Sequence, residues 1–300
     1  MAKTWGLLKY YHPAIASGKH NWDSILIVSI RNILASNTNG QAKRELQSLL
    51  HIAGPNNAVE YIPGYGDPIS AKNYDISWIE KDKILSREQK QFLLYTTKHP
   101  FKGINFYAQP NINNDSTVFT PNENPYKRML YPDTNYRLLG LFRFWNVINY
   151  FYPYKYAIGK PWGAVLNELI PVMISANDTL SYHRSIAKMA ASINDSHGSL
   201  WPGVFESFTG KYAPPFNFML INGKAVVTKL VDSVSCIKAD ITVGSVISSI
   251  NHLSIKQRIK DNLDYVPASN YGGKIKTMHS FILNTDTSFA LYSFVNPGGK

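Results

Sequence analysis

Cysteine is almost absent from this chain, which has 300 residues and a single cysteine, Cys236. One thiol excludes a disulfide within the chain and any metal site built from several cysteines. None of the eight histidines is followed or preceded, at the i, i+4 spacing of helical metal sites, by an acidic residue. We therefore expect no metal ion and no other cofactor.

Long apolar runs are also absent. No stretch approaches the roughly 20 uncharged apolar residues that a membrane-spanning helix requires. No signal peptide is visible either, because an amphipathic segment starts directly after Met1-Ala2-Lys3. We expect that the chain starts inside a longer gene and that a targeting segment has been removed.

Acidic residues are scarce relative to basic ones. The chain has 20 Asp and Glu against 31 Lys and Arg, which gives a formal net charge of +11. Such an excess favours nucleic-acid binding when the cations form one patch. Here they are scattered, and the densest cluster, residues 256–260, has the pattern of one solvated helix face. No nucleic-acid-binding motif accompanies them, so no nucleic-acid partner is expected.

An aromatic pattern occurs twice in the chain. Trp5 and Trp22 are 17 positions apart, and Trp145 and Trp162 repeat that spacing. This repeat predicts one helical scaffold used twice, with the tryptophans in a packed core rather than on a sugar-stacking surface. The same offset of 140 positions (145 − 5) aligns further identical residues without a gap: Tyr10 with Tyr150, Pro13 with Pro153, Leu26 with Leu166, Ile30 with Ile170 and Arg44 with Arg184.

The two copies differ at their ends. The second runs into Asn194-Asp195-Ser196-His197-Gly198, where the first has Gly54-Pro55-Asn56. A polar segment added to one copy of a duplicated scaffold indicates where the function lies. The preceding helix has the clearest apolar stripe of the chain and is predicted to deliver this loop at its C-terminal end. Trp201, shortly after the loop, is a candidate groove-lining residue.

Hydrophobic periodicity predicts the fold class and the domains. Beyond Pro214-Pro215 the period becomes strand-like, and two apolar runs flank Asn222-Gly223, which is a strong hairpin signal. The expected fold class is therefore α+β, with an all-helical region of two related halves followed by a small β-rich domain. The expected parts are a first helical repeat (1–100), a connector (101–135), a second helical repeat ending in the Asp-Ser-His loop (136–212) and the β-rich domain (213–300).

Two segments resemble a known peptidase family. Residues 242–252 are similar to the G-D-x-I-x-x-I-N-G stretch of PDZ-like domains, with Ser245 at the usual Asp and His252 at the usual Gly. The helical region that ends in Asp195-Ser196-His197 resembles the N-terminal bundle of the C-terminal processing (tail-specific) serine peptidases, especially their tricorn-like branch. The order of the two segments matches the family's order of helical domain, PDZ-like domain and catalytic αβ domain.

The resemblance implies a role for the loop. In the tricorn-like branch a histidine of the helical domain reaches the nucleophilic serine as its general base, and His197 occupies the matching position. Imidazole suits that role because it takes the serine proton and returns it to the leaving amine. Asp195 is expected to cap the turn or hold the loop, and Ser196 to form a nearby hydrogen bond.

The resemblance also implies a missing part. Family members carry the nucleophile in the domain after the PDZ-like module, and this chain stops at Lys300. We therefore expect the substrate-recognition and regulatory part of a tail-specific serine endopeptidase, inactive alone. Its expected partners are a polypeptide substrate and the missing C-terminal catalytic domain. Because members of this kind are usually exported, the expected location is the periplasm or the cell surface.

Other interpretations of the same residues stay open. His197 is equally accounted for as a helix-terminal histidine that the helix macrodipole favours. Phe216, Asn217 and Phe218 are candidate peptide-binding residues of the PDZ-like domain, but the expected carboxylate-binding loop is not seen beside them. The alternative function is a non-catalytic envelope protein that binds peptides or carbohydrates.

Overall fold

The chain combines many helices with a small antiparallel sheet. A computed structural model describes residues 1–36, 38–56, 75–111, 114–200 and 202–299. The fold class is α+β, as the sequence predicts. Contacts divide the chain into two units, Met1–Ser175 and Ala176–Lys300. The boundary expected near residue 212 lies inside the second unit, because the helix at Thr179–Ala191 packs against residues 263–265.

The described residues of the first unit form helices and one antiparallel strand pair. Capping side chains mark several helix starts: Asn21 accepts a hydrogen bond from the Ser24 N–H at 3.1 Å, and Ser86 and Gln89 form a capping box. The elements are α1 (Ala2–Tyr11), α2 (Pro13–Ala16), α3 (Trp22–Leu34), α4 (Asn39–Ala53), α5 (Ser77–Lys81), α6 (Arg87–Lys98), β1 (Gln109–Asn111), β2 (Asn114–Phe119), α7 (Thr134–Phe151), a 3-10 turn (Lys155–Ala157) and α8 (Trp162–Ser175).

Helix boundaries repeat with the offset seen in the sequence. Helices α1 and α7 end at Tyr11 and Phe151, which are equivalent positions, because a proline follows two residues later in each copy. Helices α3 and α8 begin at Trp22 and Trp162. Equivalent residues therefore occupy equivalent local structure along these helices.

Each copy is closed by a tryptophan clamp, in which two indole rings exchange hydrogen bonds with each other's backbone. In the first copy Trp5 Nε1–H donates to the Trp22 carbonyl at 3.0 Å, and Trp22 Nε1–H donates to the Trp5 carbonyl at 3.0 Å. In the second copy Trp145 and Trp162 make the same two bonds at 2.8 and 2.9 Å. All four rings are buried, so each N–H requires an acceptor inside the protein.

Helices α1 and α7 pack through equivalent positions, as in a two-fold symmetric interface. A side chain on Gly6 would collide with Asn146, which is the Gly6 position of the second copy. Tyr10 contacts Phe151 with ring centroids 4.8 Å apart, and Tyr11 contacts Tyr150 reciprocally at 5.3 Å. Residue i touching j while j touches i is the pattern of an isologous contact. The two copies are thus related by an internal pseudo-two-fold axis.

A buried charge cluster of Lys9, Asp23, Glu123 and Arg143 lies beside the first clamp. The Lys9 side chain is 0 % exposed, pairs with Glu123, and lies 3.7 Å from an Asp23 oxygen. Arg143 pairs with Asp23 and, at 2.8 Å, with Glu123. Burial lowers the pKa of Lys9 to about 8, although Glu123 opposes that shift. Glu123 belongs to the predicted connector, which therefore contributes to the interior of the first unit.

The second unit holds the sheet. Among the described strands, β3 pairs with β4, β4 with β5, and β5 with β6 and β7, all antiparallel. They lie over a core that includes Phe216, Ile247 and Met278. The elements are α9 (Thr179–Ala191), α10 (Pro202–Thr209), β3 (Phe216–Ile221), β4 (Lys224–Leu230), α11 (Ser233–Lys238), β5 (Val246–Ile250), β6 (Leu253–Ser254), α12 (Ile255–Asn262), a 3-10 turn (Leu263–Tyr265), α13 (Tyr271–Met278) and β7 (Tyr292–Val295).

The clamp predicts a measurable stability difference. We expect Trp22→Phe and, equivalently, Trp162→Phe to lower the free energy of unfolding by about 1–3 kcal/mol, because each loses a buried hydrogen bond and part of a packed ring. Urea unfolding followed by far-UV circular dichroism gives the difference. Tyr156→Phe is the control, since Tyr156 is 79 % exposed. Clamp variants as stable as this control would contradict the role of the clamp.

The buried charge cluster gives a second stability prediction. Glu123→Gln leaves the Lys9 ammonium buried with a weakened partner, and we expect it to cost about 3–5 kcal/mol. Glu168→Gln removes the same charge from a solvent-exposed pair with Lys160, and we expect a change within about 1 kcal/mol. Equal losses of unfolding free energy in the two variants would show that the cluster is not a closed, buried network.

Candidate functional site: the Asp-Ser-His loop

Helix α9 leads directly into the predicted loop. Asp178 caps its start by accepting a hydrogen bond from the Ser181 N–H at 2.6 Å, and the helix ends at Ala191. Asn194 then adopts a left-handed backbone with φ of 53°, a conformation that asparagine tolerates better than most residues. This residue reverses the chain and places Asp195 at the start of the loop.

Asp195 makes two contacts with His197, one to its backbone and one to its ring. Its Oδ1 atom accepts a hydrogen bond from the His197 backbone N–H at 2.9 Å and lies 2.9 Å from the imidazole Nδ1. A carboxylate accepts but does not donate, so Nδ1 carries the proton in this contact. The neutral ring is then the tautomer with its lone pair on Nε2. The side chain of His197 is 96 % exposed, so Nε2 faces solvent.

Ser196 fastens the loop to the segment before α13. Its Oγ accepts a hydrogen bond from the Ser269 N–H at 3.0 Å, and the Ser269 Oγ accepts one from the Ser196 N–H at 3.1 Å. Gly198 lies against Pro267, where an added Cβ would approach within 3.0 Å. The loop is therefore held at two points, and its histidine projects from a fixed backbone.

Asp195 and His197 form a hydrogen-bonded carboxylate–imidazole pair whose geometry is compatible with proton transfer at Nε2. An aspartate orients the imidazole by its Nδ1–H, which leaves Nε2 as a proton acceptor. Among the described residues, no serine hydroxyl is hydrogen-bonded to the His197 ring, and Ser196 is engaged with Ser269. His197 also lies beyond the last turn of α9, where the macrodipole has faded. Its position is explained by Asp195 and not by the helix end.

The candidate peptide-binding residues lie on strand β3, away from this loop in the chain. Phe216 is 2 % exposed and belongs to the core, so its side chain is not open to a ligand. Asn217 is exposed, and Phe218 is half-buried beside His279, with ring centroids 6.4 Å apart. His279 Nε2 accepts a hydrogen bond from the Leu220 N–H at 3.0 Å, which closes part of the outer edge of β3.

Several other expectations can be compared with the described residues. The four clamp tryptophans are too deeply buried to stack on sugars. Trp201 lies outside the described residues. No described group of three His, Cys, Asp or Glu side chains is arranged to hold a metal ion. In the part of the chain that the structure describes, no helix has the length and apolarity to cross a bilayer.

Sequence reasoning missed the buried charge cluster beside the first clamp. Lys9 lies one helical turn after Trp5, but Glu123 comes from an aperiodic segment with no signal of burial. Comparison with known proteins adds no assignment: neither the family models nor the curated proteins contain a match to this chain.

The Asp195 contact predicts the tautomer of His197. In the unprotonated ring of the wild-type chain we expect the proton on Nδ1, whereas Asp195→Asn removes the carboxylate and shifts the population toward the Nε2–H form. Nitrogen-15 chemical shifts of the ring, measured by long-range proton correlation, distinguish the two forms. His252, which is also exposed, is the internal control. A wild-type ring already in the Nε2–H form would contradict the orientation by Asp195.

Proposed function

We propose that this chain is the substrate-recognition and regulatory part of a tail-specific, tricorn-like serine endopeptidase, with His197 as the general base. The observation that carries the proposal is the hydrogen bond between Asp195 and His197 Nδ1, with the rest of the imidazole exposed. An oriented aspartate–histidine pair at the surface fits a base that serves a serine on another segment. An exported location, in the periplasm or at the cell surface, belongs to the same proposal.

The proposed chemistry assigns one proton-transfer path. Nε2 of His197 takes the proton of the serine hydroxyl while the serine oxygen attacks the scissile carbonyl carbon. The imidazolium that forms is stabilised by Asp195, and it then gives the proton to the leaving amine. The serine is proposed to lie outside these 300 residues, in the catalytic domain that the family places after the PDZ-like module.

The PDZ-like segment differs from the family pattern at Ser245 and His252. The local structure at both positions supports the resemblance. Ser245 is buried, accepts a hydrogen bond from the Thr242 N–H at 2.9 Å and donates to Asn296 at 2.5 Å, so it ties the loop as a polar side chain. His252 stands where glycine is usual and has a φ of 66°, a conformation that favours glycine. The backbone at His252 therefore has the left-handed conformation that the glycine of the family pattern would adopt.

A second candidate function is non-catalytic peptide binding at strand β3. This strand lies at one end of the strand order and pairs with β4 alone among the described strands. An extended peptide adds to such an edge by backbone hydrogen bonds. The Leu220–His279 bond leaves only the portion near Asn217 and Phe218 for this purpose. Carbohydrate binding by the clamp tryptophans has no support, because those rings are buried.

Proteolysis by the product of the complete gene tests the proposal. We expect the wild-type protein to cleave an unstructured polypeptide such as casein, and His197→Ala to lower kcat by about a hundredfold or more, because general-base catalysis contributes on that scale. The rates are measured from fluorescent peptide release under single-turnover and steady-state conditions.

A matched histidine variant controls for loss of charge and for misfolding. His252→Asn changes another exposed histidine of the same unit, at a left-handed position that asparagine tolerates, and should cleave at the wild-type rate. Equal cleavage by His197→Ala and wild type would place the base elsewhere. If no version cleaves, while a peptide binds and that binding is lost in Phe218→Ala, the second candidate function replaces the first.

A further inference from the structure

The pseudo-two-fold axis relates the buried charge cluster of the first copy to a cavity in the second. Arg143 is equivalent to Lys3 at the offset of 140 positions (143 − 3), Lys9 to Asn149 and Asp23 to Gly163. Lys3, Asn149 and Gly163 all line one cavity of about 650 Å³. The cavity therefore occupies, beside the second clamp, the place that the charge cluster occupies beside the first.

In the first copy this place is filled by the connector. Phe106 N–H donates to the Ala16 carbonyl at 2.7 Å, and the Tyr107 hydroxyl donates to the His20 carbonyl at 2.8 Å. Glu123 then completes the filling, because its carboxylate pairs with Lys9 and Arg143. Two stretches of the connector, one with the Tyr107 ring and one with the Glu123 carboxylate, thus occupy the first site.

The second site keeps cationic side chains but has glycine at the position equivalent to Asp23. Lys3 and two further lysines, Lys155 and Lys160, line the cavity. Lys155 Nζ donates to the Asn149 carbonyl and Oδ1 at 2.8 and 3.1 Å, so an ammonium is held where the first copy has Lys9. Gly163 replaces Asp23, and a Cβ added there would lie 3.6 Å from Lys3 Nζ. Among the described residues, the Asp23 carboxylate that pairs with Arg143 in the first copy has no counterpart beside Lys3.

The acidic groups near the cavity leave Lys3 unneutralised. Lys160 is paired with Glu168 at 2.6 Å. Asp75, the carboxylate in the lining, accepts a hydrogen bond from the Ser77 N–H at 2.9 Å and interacts electrostatically with Lys155. Lys3 forms no ion pair with a described acidic residue, and its Nζ lies 5.8 and 5.9 Å from the ring centroids of Trp78 and Trp145. A cation between two aromatic walls is suited to receive an anion.

We propose that this cavity binds the side-chain carboxylate of an acidic peptide from a partner protein, in the place that Glu123 takes in the first copy. Lys3 contacts the carboxylate, and the exposed Tyr156 and the half-buried Trp78 accept neighbouring apolar groups. The proposal concerns the first unit alone and does not depend on a catalytic role of His197.

The probe is an acetylated and amidated peptide with the sequence of residues 118–126, Val-Phe-Thr-Pro-Asn-Glu-Asn-Pro-Tyr, which carries Glu123. Isothermal titration into the 300-residue chain should give binding that weakens as salt is added. The same peptide with Glu123→Gln should bind about tenfold more weakly or worse, because it loses a charge-assisted hydrogen bond.

The variants Gly163→Asp and Gly163→Asn differ by one charge next to Lys3. Gly163→Asp restores the acid of the first copy next to Lys3, and an aspartate in the first turn of α8 suits the helix dipole. We expect this variant to lose peptide binding about tenfold or more, whereas Gly163→Asn, of the same shape, should keep most of it. Lys3→Glu should also lose binding, and Lys19→Glu, at an exposed position outside the cavity, should not.

Two results would overturn the proposal. One is equal affinity of the wild-type chain for the Glu and Gln peptides, or no measurable affinity for either. The other is binding by Gly163→Asp that matches Gly163→Asn while both variants keep the wild-type circular dichroism spectrum. Proteolysis by the complete gene product is a separate readout, so failure of peptide binding here leaves the proposed function of the loop standing.

Discussion

The exchange of two indole–carbonyl hydrogen bonds within each tryptophan clamp is the constraint on which the first unit depends. Each clamp joins the interior of one helix, α1 or α7, to the start of another, α3 or α8, across 17 positions of sequence. Because both copies make the same bonds, their helices present matching surfaces, and α1 packs on α7 through equivalent residues. Two partners with self-complementary surfaces need only one set of contacts to fit each other.

Duplication makes the differences between the copies informative. Where the surrounding scaffold is equivalent, a changed residue is not needed for the shared packing and is free to serve another role. Beside the clamps, the first copy is closed by the connector and the second is left as a lysine-lined cavity. After the last helix, only the second copy continues into a loop in which an aspartate orients an exposed histidine.

Sequence patterns predicted the features that depend on local chemistry. The repeat, the hairpin at Asn222-Gly223 and the α+β class follow from spacing and turn propensity. The polarity of the loop located it in the sequence. No sequence pattern predicted that Asp195 contacts both the backbone N–H and the ring of His197. The burial of Glu123 was not predictable from the sequence. A lone acidic residue in an aperiodic segment becomes a buried partner only when Lys9 folds against it.

Labelling with a serine-directed fluorophosphonate tests the role of His197 most directly, because the reagent reacts with a serine only when a base has activated it. On the product of the complete gene, we expect one serine to be labelled, and His197→Ala to slow that labelling about a hundredfold or more. Labelling of the alanine variant at the wild-type rate, or no labelled serine in the wild type, would contradict the assignment of His197 as general base.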